Sequence, residues 1–85
     1  MKSKLQPLLD MKTLALLLKN NMNSFLTGEA MIAQIEFEQL VIQFCNENGD
    51  WISPQDCETA KSDVDYFIRQ IDLAIERHQK ESPPG

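Results

Sequence analysis

Apolar residues recur every three or four positions along most of this chain, the spacing that lays one stripe along an α-helix. Leu14, Leu17/Leu18, Met22 and Phe25 form the first stripe, with Asp10 placed to cap its start and Gly28 placed to end it. Upstream, Leu5, Leu8 and Leu9 surround Pro7, which predicts a short separate turn with Pro7 at its first position. The next stripe predicts a helix over 30–48. Ala33, Phe37, Leu40/Val41 and Phe44 are its core positions, and Ile32 and Ile35 widen them. Glu36, Gln39, Gln43 and Glu47 fall on the other face, and Gly49 closes the helix.

The strongest start signal is Ser53-Pro54-Gln55-Asp56: a capping serine, a proline at the first helical position and an acid three residues after the cap. From there Cys57, Ala60, Val64, Phe67/Ile68, Ile71, Ala74/Ile75 and His78 keep helical step. Unbroken, that helix runs about 28 residues, or roughly 42 Å. Alternatively it bends at Lys61–Ser62, and Ser62-Asp63-Val64-Asp65 restarts a fourth helix. Asp65/Arg69 and Glu76/Lys80 have the acid-before-base i,i+4 spacing that supports a helix. No segment alternates with period two. The expected fold is all-α, a small antiparallel three- to four-helix bundle. It forms one domain over 1–81, with Ser82-Pro83-Pro84-Gly85 as a disordered C-terminal tail.

An apolar fraction of 42% supports a real core and argues against intrinsic disorder. A chain of 85 residues nevertheless buries only roughly 60–65% of its extended surface, so its core is marginal. Tight helix packing or self-association is expected to supplement it. Two cysteines, Cys45 and Cys57, in a chain without a secretion signal predict free buried thiols in a reducing compartment. A disulfide across 46–56 is the geometrically feasible alternative. The leucine-rich start is interrupted by Gln6, Pro7, Asp10, Lys12 and Thr13, and its longest apolar run is Leu14 to Leu18. That run is too short for a signal h-region or a membrane span, so a cytoplasmic protein is expected.

Charge sharpens this picture more than composition does. Between Lys19 and Lys61 there is no Lys or Arg, while Glu29, Glu36, Glu38, Glu47, Asp50, Asp56 and Glu58 give a local charge of −7. The whole chain carries −5, so the flanks are mildly basic. A field of one sign recruits partners of the other. The eight basic residues are scattered, which disfavours nucleic-acid binding.

Catalysis finds no footing in the sequence. His78 is the only histidine and sits near the end of the last helix. The three glycines are too dispersed for a phosphate loop. Glu36 and Glu38, two residues apart on a helix, diverge by about 160°. No zinc spacing is present. The stretch from Asn46 to Asp56 resembles an EF-hand loop, with Asn46, Asn48 and Asp50 at the first, third and fifth ligand positions. However, Trp51 stands where the turn glycine belongs and Asp56 where a bidentate Glu belongs. The expected structure there is a plain Asn/Gly turn closed by the next helix cap, with no metal and no cofactor. Trp51, the single tryptophan, is either a lid on the core or a binding anchor.

Phe25-Leu26-Thr27-Gly28, followed by Ile32-Ala33-Gln34-Ile35-Glu36-Phe37, resembles the start of the bacterial immunity proteins of the colicin D type. Asp63-Val64-Asp65-Tyr66-Phe67 is similar to a valine–aspartate–aromatic segment of that family. The resemblance spans roughly residues 20 to 70. It implies a four-helix bundle whose carboxylates occupy the basic tRNA-cleaving site of a cognate toxin, with Glu36 as the acid matched by position.

The expected function is therefore a non-enzymatic, acidic, protein-binding inhibitor. It would be an immunity protein that neutralises a basic, nuclease-type bacteriocin by occupying its substrate groove. The candidate contact residues are Glu36, Glu47, Asp50, Trp51 and Glu58, with no role for nucleic acid or membrane. The alternative is a structural or regulatory helical homo-oligomer of phage or plasmid type, with a homodimer through its last helix as its simplest form. A degenerate calcium module built on 46–56 is the third choice.

Overall fold

The capping and stripe signals resolve into four helices in a computed structural model, which describes residues 5–50 and 52–81. These are α1 (Leu5–Met22), α2 (Thr27–Glu47), α3 (Pro54–Ser62) and α4 (Val64–Glu81). All regular structure among the described residues is helical, as the apolar periodicity predicts. The proposed tail, 82–85, lies outside the described residues.

Pro7 sits in the first turn of α1, where the backbone N–H groups have no intrahelical acceptor, so it does not break the helix. The predicted separate turn and the helix capped by Asp10 are thus one helix. Its buried face is Leu8, Met11, Ala15 and Leu18, with Met22 packed beside them. Leu14 and Leu17, expected in the core, are exposed, and Phe25 lies beyond the helix in solvent. The expected stripe was rotated because α1 carries leucines almost all the way round, so periodicity alone does not select a face.

Gly28 does not end α1; it belongs to the first turn of α2. The α2 core face is the expected one, with Ala33, Phe37, Leu40, Val41 and Phe44 all buried. Ile32 and Ile35 do not widen it: they are 60% and 54% exposed. Asn48, not Gly49, caps the C-terminus, and both its backbone N–H and its side-chain Nδ2 donate to the Phe44 carbonyl, at 3.0 and 2.8 Å.

The α3 start matches its signal. Ser53 Oγ accepts from the Asp56 backbone N–H at 3.1 Å, and an Asp56 carboxylate oxygen accepts from the Ser53 N–H at 3.4 Å. The long helix is broken, at Asp63. This residue caps α3 and then restarts the chain, its Oδ1 accepting from the N–H groups of Asp65 and Tyr66 at 3.1 Å each.

Helix α1 packs on α2 and α4, and α3 packs on the same two. The core centres on Phe67, whose ring meets Phe37 and Phe44 edge-on at centroid distances of 5.5 and 5.4 Å. Lys12 pairs with Asp72 at 2.8 Å and Lys19 with Asp65 at 2.6 Å, which sets α1 antiparallel to α4. The predicted Asp65/Arg69 pair is replaced by this cross-helix contact. Ile71 and Ala74 of α4 are fully buried with Phe67, so the stripe expected to serve a second copy is consumed inside the molecule.

Cys45 and Cys57 form a disulfide with a Cα–Cα distance of 6.2 Å, correcting the expectation of free thiols. The cause is local. The tight turn after α2 brings the last turn of that helix back against the start of α3.

Candidate functional site

At about 100° per residue, Glu29, Glu36 and Glu47 fall on one flank of α2, with Gln43 beside them. All of these side chains are exposed, and Gln43 Nε2 donates to Glu47 Oε2 at 3.1 Å. This flank turns toward α1. There an open groove is lined by Pro7, Met11, Leu14 and Leu40 on its floor and by Asp10, Gln43 and Glu47 at its rim.

The predicted contact residues do not all share that flank. Asp50 is exposed in the turn after α2. Glu58 is exposed on α3 and pairs with Lys61 at 3.3 Å. Helix α3 is tied to α2 through Cys45, which lies about 160° around the helix axis from Glu47. Glu36 and Glu47 thus share a flank, about 16 Å apart along the helix, and Glu58 stands apart from them. Trp51 lies outside the described residues.

Asp56 is structural despite belonging to the acidic stretch. Besides closing the cap with Ser53, its Oδ1 accepts from the Tyr66 hydroxyl at 3.1 Å, tying α3 to α4. The Ser53 hydrogen bond, then that of Tyr66, holds the Asp56 carboxyl below the usual carboxylate range. The same contact raises the Tyr66 phenol above its ordinary value.

In the stretch that resembles an EF-hand, Asn46 still belongs to α2, and the Asn48 side chain is buried against the Phe44 carbonyl instead of facing a loop centre. Among the described residues, no group of three or more His, Cys, Asp or Glu side chains is placed to hold a metal. No helix among them is long and apolar enough to cross a membrane.

Helical spacing within the second stripe held a signal that the search for a single core face passed over. Met31, Ile35 and Ile42 lie within about 40° of one another around α2, roughly opposite its core face. They are 61%, 54% and 45% exposed. Helix α2 is therefore apolar on two opposite sides, and only one of them is covered.

Protein-family models, curated proteins and solved structures yielded no match to this chain.

Proposed function

We propose that this chain is a stoichiometric, non-enzymatic protein-binding inhibitor that engages a basic surface on its partner. Its specific form would be an immunity protein shielding the substrate groove of a nuclease-type toxin. One observation carries this. Helix α2 bears Glu29, Glu36, Glu38 and Glu47 and no Lys or Arg, and among the described residues no cation forms an ion pair with any of the four. Lys12 and Lys19 are spent on the α1–α4 seam, and Lys61 on Glu58. The acidic field of α2 is left for an external partner, steering a Lys- and Arg-lined groove toward it.

Such a role places the chain in the cytoplasm of a toxin-producing cell. It demands carboxylates and a rigid scaffold, with no nucleophile, metal or cofactor. Self-association through the last helix is a weaker account, because the apolar stripe that motivated it lies in the intramolecular core.

An immunity protein is encoded beside its toxin, so the test is calorimetric titration against the basic protein encoded next to this chain. A 1:1 complex is expected whose affinity falls with added salt, together with loss of the partner's nuclease activity at one equivalent. The double variant Glu36→Lys/Asp50→Lys should weaken binding at least about tenfold, or 1.4 kcal/mol. No complex, or a complex indifferent to both salt and charge reversal, overturns the proposal.

A further inference from the structure

The groove between α1 and α2 has a carboxylate on each wall. Asp10 stands in the first half of α1 and Glu47 in the last turn of α2; both are exposed, and both line the groove. Each is steadied by a glutamine of its own helix at i,i+4 spacing. Gln6 Nε2 donates to Asp10 Oδ1 at 3.0 Å, and Gln43 Nε2 donates to Glu47 Oε2 at 3.1 Å. The second oxygen of each carboxylate accepts from no group among the described residues.

Between these walls the floor is apolar. Met11 and Leu40 are buried beneath it, and Leu14 is 40% exposed along it. No Lys or Arg lines the groove, and Lys12, two positions from Asp10, is paired with Asp72 across the α1–α4 seam. The acidic wall also continues past Glu47. Around α2, Glu29, Glu36 and Glu47 all lie within about 40° of Leu40, on the side that meets α1.

An apolar floor between two carboxylates calls for an occupant with an apolar stem and a cationic head, the form of a Lys or Arg side chain. Pockets that retain free small ligands bury about 70–90% of the ligand surface. This groove is open and its rim side chains are exposed, so its occupant needs a body behind it to cover the site. A protein surface supplies that cover. A second copy of this chain would bring its own charge of −5 against the same acids. The placement of the acceptors selects arginine over lysine. Asp10 and Glu47 come from opposite walls, and a guanidinium carries five N–H donors in a planar fork that can serve both. It is also more weakly hydrated than an ammonium, which lowers the cost of laying it over Leu14.

We infer that the α1–α2 groove is an arginine-binding site for one side chain on the surface of the partner protein. The arginine stem lies along Leu14 and Leu40, and the guanidinium sits between Asp10 and Glu47. This rests on the proposed binding of a basic partner. It adds the place of contact, the residue recognised, and one acid, Asp10, from outside the base-free stretch.

The probe is a capped pentapeptide with arginine at its centre and alanine around it. Siblings carry lysine or glutamine at the centre. Each is titrated at low salt into the isotope-labelled full chain, and NMR follows the side-chain amides of Gln6 and Gln43 and the methyls of Met11, Leu14 and Leu40. The expected result is about millimolar binding of the arginine peptide with shifts centred on those groups, at least about threefold weaker binding of the lysine sibling, and none of the glutamine sibling. Asp10→Asn and Glu47→Gln should each weaken the arginine peptide about fivefold or more. Glu76→Gln, which removes the same charge from an exposed position on α4, should leave binding unchanged. Thermal melting would verify that all three variants are folded. In the complex with the basic protein encoded beside this chain, Asp10→Asn/Glu47→Gln should cost at least about tenfold in affinity.

Shifts spread over the other acids, or a Glu76→Gln effect as large as that of Asp10→Asn, would reveal a diffuse field and overturn the site. Equal binding of the lysine sibling overturns the selection of arginine, and equal binding of the glutamine sibling overturns the charge argument; either removes the inference. Sedimentation showing a dimer that shields Leu14 and Gln43 assigns the groove to a second copy and also overturns it. Absence of peptide binding, when the toxin-type partner still binds in a salt-dependent manner and is indifferent to the double variant, removes the groove alone. Peptide binding at the groove without any complex supports the arginine site and overturns the inhibitor reading instead. Absence of both removes the two proposals together.

Discussion

Asp56 closes the α3 capping box with Ser53 and also accepts the hydroxyl proton of Tyr66, from the first turn of α4. One carboxylate thus starts one helix and anchors it to the next. Its pKa lies below the usual carboxylate value in the folded chain, chiefly through the Ser53 hydrogen bond. A depressed folded-state pKa means that the contribution is complete above the unfolded pKa, near 4, and is lost as pH falls through the folded value. Tyr66 behaves in the opposite sense. Its raised pKa leaves its contribution intact up to about pH 10 and removes it as the phenol ionises above that. Urea unfolding measured from pH 6 down to pH 2 should therefore lose stability faster in the wild-type chain than in Asp56→Asn. Parallel profiles would show that the Ser53–Asp56–Tyr66 contact contributes nothing measurable.

Helix α1 has leucines on nearly every side, so another feature must orient it, and the seam with α4 supplies one. Lys12 and Lys19 are seven residues apart, as are Asp65 and Asp72, and antiparallel packing brings each Lys to one Asp. Both pairs are substantially exposed, so each contributes at most about 1 kcal/mol. Their value is in fixing rotation and register. Reversing one pair alone, as Lys12→Asp, should lower stability by about 0.5–1 kcal/mol, and Lys12→Asp/Asp72→Lys should restore most of it in a double-mutant cycle. A double variant no better than the two single changes summed would mean that the apolar face alone sets the seam. This ladder also marks where sequence reasoning stopped. The α2 core face, the α3 cap and the all-α architecture were legible because each is written in local spacing. The face of α1 was not, because its partner charges lie some fifty residues away. The break at Asp63 was half legible: Ser62-Asp63-Val64-Asp65 is a restart signal, but Ala60 and Phe67 keep helical step across it, so the apolar spacing alone fits an unbroken helix equally well. Within the candidate site, the acids of α2 were legible as a charge count. The second apolar face of α2 went unrecognised because Ile32 and Ile35 were assigned to the core, although it too is written in helical spacing.

The backbone extends over 47 × 26 × 18 Å, so its thinnest dimension holds about two helix layers. In so thin a body α2 can be covered by core on one side only, which leaves its outer apolar residues at the surface. Thinness also leaves α3 lightly held. Within its nine residues only Ala60 is fully buried, and the helix depends on the Tyr66–Asp56 hydrogen bond, the Asp63 joint and the Cys45–Cys57 disulfide. The disulfide matters for a chain proposed to act in the cytoplasm, where thiols are kept reduced. The ring cluster of Phe37, Phe44 and Phe67 does not involve the sulfurs, so the reduced chain should keep α1, α2 and α4 packed. Closing a loop over a sequence separation of 12 stabilises by about 3 kcal/mol in the chain-entropy account. Reductant, or the double variant Cys45→Ala/Cys57→Ala, should therefore lower the melting temperature by roughly 10–20 °C for a domain of this size. Amide exchange should rise first in α3, while the centres of α2 and α4 stay protected at ambient temperature. A fall of less than about 2 °C would show that α3 is held by its cap and by Tyr66 alone. Loss of protection throughout the chain would show that the aromatic core cannot stand without the cross-link, and that the cytoplasmic form is not this fold.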